Sequence, residues 1–439
     1  MIGAKLFDFQ DDAKTPDWPQ SMITRCGMAT TFDSTARAVG GAHRWKVLGV
    51  GVAANASFSA AVAGIPTTAV WLRSGYHLNN AELGLVLGAL GLGAAVSELP
   101  WGLLTDRWGD RRVLLIGLIA TAIALVAMSV FVAPSASAGA PSLVWLVAGM
   151  CALGLFGGSV NGASGRAVMA WFAEGERGLA MSIRQTAVPL GGGIGAALLP
   201  WLASSVGFSA VFGALAAMCA VSGAFTWRWL HEPPRAAQPP QHPQQKRAAP
   251  LGDVLVWRMV LGIGVLCMPQ FAVLTFAAVF LHDAGRFGVT SISATMGALQ
   301  FGAMIMRVWS GRYTDRHGNR RGYLRVSTWI AVASFAALAA ATALGAAGAP
   351  VLLATMIVLA GVSISAWHGV AYTELATLAG TARAGTALGM TNTAVYAGLF
   401  VTPIAIPHVL AAGSWTAVWV AAGVCASLAL PLFPRPAPP

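Results

Sequence analysis

The chain of 439 residues is 56% hydrophobic and only 10% charged, with a mean hydropathy of +0.67. A water-soluble globular fold has no interior large enough to hide that much apolar surface, so a polytopic membrane protein is what remains. The net charge of +11 comes chiefly from short segments between apolar runs, so it reports orientation in a bilayer and not a nucleic-acid footprint.

In chain order, residues 1–44 mix Asp, Lys, Arg and Pro without a continuous apolar core. They are no cleavable signal peptide and read as a disordered cytoplasmic tail; Met28, in Met28-Ala-Thr-Thr-Phe, is a second candidate start. From residue 45 onward there are about twelve apolar runs of the roughly 20 residues needed to cross the hydrocarbon. Six centre near Val52, Leu90, Ala120, Gly149, Gly192 and Ala216, giving an N-terminal lobe over 45–230. Six more centre near Leu274, Ile305, Ala333, Val358, Thr393 and Val420, giving a C-terminal lobe over 253–433. The Pro- and Gln-rich stretch 231–252 between them cannot bury a core and reads as a cytoplasmic linker, and 434–439 as a short tail. Arg111, Arg112, Arg235, Lys246, Arg247, Arg320, Arg321 and Arg325 fall in even-numbered loops, against Arg73 and Arg286 in the opposite ones. The positive-inside rule then predicts both termini on the cytoplasmic side of the cell membrane. Cys26, Cys151, Cys219, Cys267 and Cys425 are scattered and suggest neither a disulfide framework nor a zinc site.

One stretch occurs twice. Gly102-Leu-Leu-Thr-Asp106-Arg107-Trp-Gly109-Asp-Arg111-Arg112 returns as Gly311-Arg-Tyr-Thr-Asp315-Arg316-His-Gly318-Asn-Arg320-Arg321. Between apolar runs, such an arginine cluster is expected in a short aqueous loop joining two membrane helices. The copies lie about half a chain apart, the parallel-repeat arrangement of a two-lobed carrier with its site between the lobes.

This loop resembles the signature between the second and third helices of the major facilitator superfamily, with its echo between the eighth and ninth, and the resemblance runs over about residues 45 to 433. It implies an all-α membrane protein of twelve transmembrane helices in two six-helix lobes related by pseudo-two-fold symmetry. It also implies a conformational latch carried by Gly102, Asp106, Arg107, Gly109, Arg111 and Arg112 and by Gly311, Asp315, Arg316, Gly318, Arg320 and Arg321. Arg166 and Glu374, near-equivalent by repeat, fit as latch partners. The plainer reading of the arginines is that they only obey the positive-inside rule.

Charge inside a bilayer is expensive, which singles out Glu98, Arg166, Arg184, Arg307 and Glu374; each also reads as a structural ion pair or a snorkelling side chain. Arg307 precedes Asp315 by about 12 Å of helix, too deep to snorkel easily. Arg307-x-x-x-Gly311-x-x-x-Asp315 resembles the eighth helix of nitrate/nitrite porters, and Arg-x-x-x-Gly is similar to proton-coupled monocarboxylate transporters. Both resemblances imply an anion ligand, for which a guanidinium offers two parallel hydrogen bonds. Glu98, in Glu98-Leu-Pro100, stands where nitrate porters carry another arginine. That departure points away from nitrate and toward a proton carrier; a Glu98–Arg307 salt bridge holding the lobes closed is the other reading. Arg184 and Gln185 open the glycine-rich fifth span, where Arg184 either flanks a cavity with Arg307 or pairs with a helix end. Pro189-x-x-Gly192-Gly193 resembles part of the fifth-helix motif of drug/proton antiporters, with Val188 in place of a glycine.

Overlaying the halves puts Asn161 on His368, Arg184-Gln185-Thr186 on Thr391-Asn392-Thr393, and Glu98 on Arg307. Asn55, Asn161, Gln270 and His368 sit on helices that line the cavity in the resembled fold, joined by Asn392 and Tyr396 on the eleventh. His368 reads as a proton relay or as a helix–helix hydrogen bond. No serine elbow, Walker loop or His-Glu-x-x-His helix occurs. The expectation is therefore a monomeric carrier with no cofactor, metal or enzymatic activity, which moves a small organic anion, a mono- or dicarboxylate, inward with protons. Proton-driven efflux of an amphiphilic drug or metabolite, and a transport-dead receptor or scaffold, are the alternatives.

Overall fold

The computed structural model describes residues 43–134, 139–172, 177–231, 252–345, 349–379 and 384–434, and backbone alone at 106, 177–179, 376 and 384–385. Nearly all of the tail and linker expected over 1–44, 231–252 and 434–439, and the side chain of Asp106, lie outside the described residues. Lys46–Pro439 forms one compact unit, and of the segment before it only the first turn of a helix is described.

The first half comprises α1 (His43–Gly75), α2 (Asn80–Trp108), α3 (Asp110–Val132), α4 (Leu143–Trp171), α5 (Ala180–Ser205) and α6 (Phe208–Trp229). The second comprises α7 (Val254–Asp283), α8 (Val289–His317), α9 (Arg320–Ala343), α10 (Pro350–Ala379), α11 (Thr386–Ala412) and α12 (Trp415–Leu428). Eleven of these are long and apolar enough to cross a membrane, and α12, with 14 residues, is the shorter twelfth. In hydrocarbon every backbone N–H and C=O must be satisfied within the chain, and a helix does so without a partner. All twelve expected centres fall inside a helix, so the fold is the all-α, two-times-six arrangement read from the apolar runs.

Helix ends follow from side chains. Asn79 and Glu82 form a reciprocal capping box at the start of α2, at 2.8 and 2.9 Å. Asp253 caps α7 through the Leu255 N–H at 2.8 Å. The repeated motif is more helical than a loop reading expects, since Gly102 to Trp108 continue α2 and Asp110 opens α3. Only Gly109 intervenes, with φ at +86°, a region in which a side chain would be strained. Gly318 (φ +65°) and Asn319 (φ +52°) make the same hinge between α8 and α9.

Burial sorts the helices. The most apolar stretches of α1 and α7 are 78% and 89% buried, which makes this pair central, whereas those of α3, α6, α9 and α11 are each 39% buried and that of α8 is 33% buried. The halves meet along two seams that the repeat relates, α2 on α11 and α5 on α8. Small residues permit the approach. A Cβ on Gly88 would lie 2.8 Å from the Phe400 carbonyl oxygen, and one on Gly192 would run into the Gln300 side-chain amide. The two seams carry Glu98 and Arg307.

Candidate functional site at the two seams

On the first seam Glu98 is buried to 3% exposure. Asn161 of α4 donates from Nδ2 to its Oε1 at 2.8 Å and to the Tyr396 hydroxyl at 2.7 Å. Asn392 of α11 donates to Oε2 at 3.5 Å and accepts from the Tyr372 hydroxyl at 3.2 Å. One carboxylate is thus held by neutral amides from both halves.

Arg184, 4% exposed, belongs to the same half as Glu98. Its Nε donates to Ser164 Oγ at 3.0 Å, and a terminal nitrogen donates to the Asn161 carbonyl at 2.8 Å. The guanidinium lies beside Gly165, where a Cβ would make ordinary van der Waals contact with it at 3.6 Å. Arg184 is within electrostatic reach of Glu98, yet the described residues show no ion pair between them.

On the second seam Arg307 is 5% exposed and reaches across to the Gln185 carbonyl at 3.3 Å. Among the described residues its Nε is buried with no hydrogen-bond partner and no carboxylate pairs with it. Nearby on α10, Trp367 Nε1 is likewise buried and unbonded, and the buried His368 ring has the Ser365 backbone within reach. His368 stacks on Trp367, centroids 3.9 Å apart, and lies parallel to Tyr372 at 6.3 Å. Gln270 of α7 donates to Ser365 Oγ at 3.3 Å while its Oε1 is unpaired. Arg307 is within electrostatic reach of His368 and Tyr372, so this side of the seam gathers polar atoms whose bonding is incomplete. Buried polar atoms are normally satisfied, which makes such a gathering informative.

The structure does not bring together every residue singled out in the sequence. The Glu98–Arg307 salt bridge is absent, because each group is engaged along its own seam. Arg184 turns into the first half instead of standing beside Arg307, because Ser164 and the Asn161 carbonyl supply acceptors there. Asn55 accepts from Ser59 within α1 at 3.5 Å and has no bond to either seam. Tyr372 was not singled out; its signal is the four-residue spacing from His368, which puts both on one face of α10.

At the arginine-rich end the ion pairs among the described residues join groups of the same half. Arg166 donates to the Thr105 carbonyl and lies 3.5 Å from Asp110, while Arg321 pairs with Glu374 at 2.7 Å and Arg320 with Asp315 at 3.3 Å. Arg107 and Arg316 are exposed; Gly102 faces Gly162, and Gly311 sits 3.6 Å from Ser182 Oγ by its would-be Cβ. At the other end a bridge does cross. Arg73 at the end of α1 holds Asp283 at the end of α7 through two bonds of 2.8 Å each. This clasp was missed, although the motif copies are offset by 209 residues and the same offset carries Arg73 onto His282, beside an acid.

A profile described as Major Facilitator Superfamily matches residues 50–403. An uncharacterized MFS-type transporter of Mycobacterium tuberculosis is 29% identical over 89% of this chain and 85% of its own. The glycerol-3-phosphate transporter of Haemophilus influenzae is 31% identical over 30% of this chain and 26% of its own. The crystal structure of a D-xylose-proton symporter superposes with a TM-score of 0.71 at 16% identity, covering 89% of this chain and 98% of that one. With twelve helices in two related halves, a duplicated arginine motif and a match over most of its length, the chain belongs to the Major Facilitator Superfamily of multi-pass membrane transporters.

Proposed function

We propose that this secondary transporter takes up a small organic anion, a mono- or dicarboxylate, together with protons, and that Arg307 is its anion ligand and Glu98 its proton carrier. The observation that carries the reading is Arg307, a guanidinium buried between the halves that has, among the described residues, no ion-pair partner and an unbonded Nε. A buried charge without a counter-ion is costly, and a substrate carboxylate repairs that cost by accepting the free N–H bonds. His368, Trp367 and Gln270 then orient the rest of the anion, with Gln185 and Tyr396 completing the walls. Glycerol 3-phosphate is likewise a small organic anion, and the relative named for it resembles 30% of this chain.

Glu98 supports the coupling. Its bonds come from neutral amides, so gaining a proton breaks no direct salt bridge, and the two amides belong to opposite halves. Protonation therefore loosens a contact across the seam, which links a proton to the rocking of the lobes. Arg184 is a positioning residue that fixes Asn161 through its carbonyl. In this reading the lobes run over 45–230 and 253–433, both termini face the cytoplasm, and the carrier works as a monomer. The duplicated motif with Arg166 and Glu374 latches the cytoplasmic end, and the Arg73–Asp283 clasp closes the other.

The test is thermal stabilisation of the purified protein across carboxylates, amino acids, sugars and lipophilic cations, repeated on Arg307→Ala. Carboxylates alone should raise the melting point, and the variant should not respond. Lipophilic cations stabilising both proteins equally would replace this reading with proton-driven efflux of an amphiphile. No response to any ligand, with no transport in vesicles, would leave a receptor or scaffold.

A further inference from the structure

The two copies of the arginine motif part company at their last residue. In the second copy Arg321 is captured by Glu374 of α10 at 2.7 Å. The near-equivalent position on α4 is Arg166, a cation that cannot pair with Arg112 and instead joins Asp110 and the Thr105 carbonyl. Arg112 is therefore left exposed and, among the described residues, takes part in no hydrogen bond or ion pair; the same holds for Arg107 and Arg228 nearby in the same end of the half.

Arg112 opens onto a groove of about 370 Å³ on the outer face of the first half, lined with Trp108, Leu115, Ile116, Ile119 and Trp227. The wall is built. Arg111 donates to the Trp227 carbonyl at 2.8 Å, and its guanidinium lies 5.0 Å over the Trp227 ring, which pins the end of α6 against the start of α3. Trp108 and Trp227 are 42% and 67% exposed beside the arginines, an arrangement suited to anchoring at a bilayer surface, where indoles are enriched. From Arg112 to Ile119 the floor runs about 10 Å along α3, away from the arginines and into the apolar layer. Ile116 and Ile119, 45% and 54% exposed, line it.

A cationic mouth, an aromatic collar and an apolar floor call for a ligand with an anionic head and a hydrocarbon tail. We propose that this groove binds an acidic phospholipid from the leaflet at the arginine-rich end, its phosphate on Arg112 and the first acyl carbons along Leu115, Ile116 and Ile119. A free inorganic anion would leave the floor uncovered, and a zwitterionic lipid would bring no net charge to the three unpaired arginines.

The experiment is native mass spectrometry of the full-length protein in detergent, offered phosphatidylglycerol, phosphatidylcholine or inorganic phosphate. The wild type should retain phosphatidylglycerol over phosphatidylcholine, and Arg112→Gln should lose about fivefold in retention, the weight of one basic side chain at an anionic surface. Arg112→Lys should keep most of it. Should Arg112→Gln prove unstable, Ile119→Ser reads the acyl half of the site and should also weaken retention. Equal retention of both lipids, retention of phosphatidylglycerol unchanged in Arg112→Gln or Ile119→Ser, or its displacement by millimolar phosphate would each overturn the proposal.

Discussion

Glu98 and Arg307 occupy the same place in the two halves, and so do their neighbours. Glu98 of α2 lies between Asn161 of α4 and Asn392 of α11, while Arg307 of α8 lies near His368 of α10 and bonds Gln185 of α5. Asn161 overlays His368, and Gln185 overlays Asn392. The geometry is duplicated and the charge is inverted. The difference lies in how each charge is compensated. Amide donors satisfy the acid, whereas the base has a backbone carbonyl and, among the described residues, an unbonded Nε; in the proposed reading a proton changes the state of the first and an anion that of the second. Under the proposed function, one fold repeated with one charge reversed separates a coupling side from a ligand side.

The comparison breaks most decisively at Arg307. Arg307→Ala should lower carboxylate affinity at least about thirtyfold, about 2 kcal/mol, and Arg307→Lys about tenfold because a lysine cannot reproduce the two-pronged grip. Calorimetric titration of the purified variants measures both. Glu98→Gln should abolish proton-driven accumulation in vesicles while changing carboxylate affinity by less than about threefold, since a neutral amide mimics the protonated acid. Accumulation that survives this change would move the coupling elsewhere.

The paired positions sharpen the contrast. Asn161→Ala removes a donor to a buried carboxylate and should cost about 1–3 kcal/mol of stability without ligand, read from unfolding of the apo protein. His368→Gln should cost less in that assay yet weaken substrate binding more. The smallest effect belongs to the clasp. Arg73 and Asp283 are 25% and 29% exposed, so Arg73→Gln should cost under about 1 kcal/mol. Spin labels at Ser74 and Gly288 should still report a shift toward longer distances between α1 and α8, because even that bias changes the population of a carrier near balance.

The apolar runs determined the membrane, the twelve helices and the order of the halves, because hydrocarbon accepts only backbone that satisfies itself within a helix. The repeat and the few charges inside it also pointed to Glu98 and Arg307, because ionisable groups at that depth are too costly to be incidental. Which groups meet was decided by tertiary structure alone. Glycines at 88 and 192 set how closely the seams approach, and that approach sets the register in which Asn392 finds Glu98 and Arg307 finds the Gln185 carbonyl. Arg184 faces its own half because Ser164 lies one turn from Asn161 on α4, a pairing that spans 20 residues of chain. The clasp spans 210 residues, and the groove beside Arg112 exists because α6 returns to α3 at Trp227. Local chemistry chooses helices and buried charges; contacts between distant segments depend on how the helices pack, and no run of neighbouring residues encodes that.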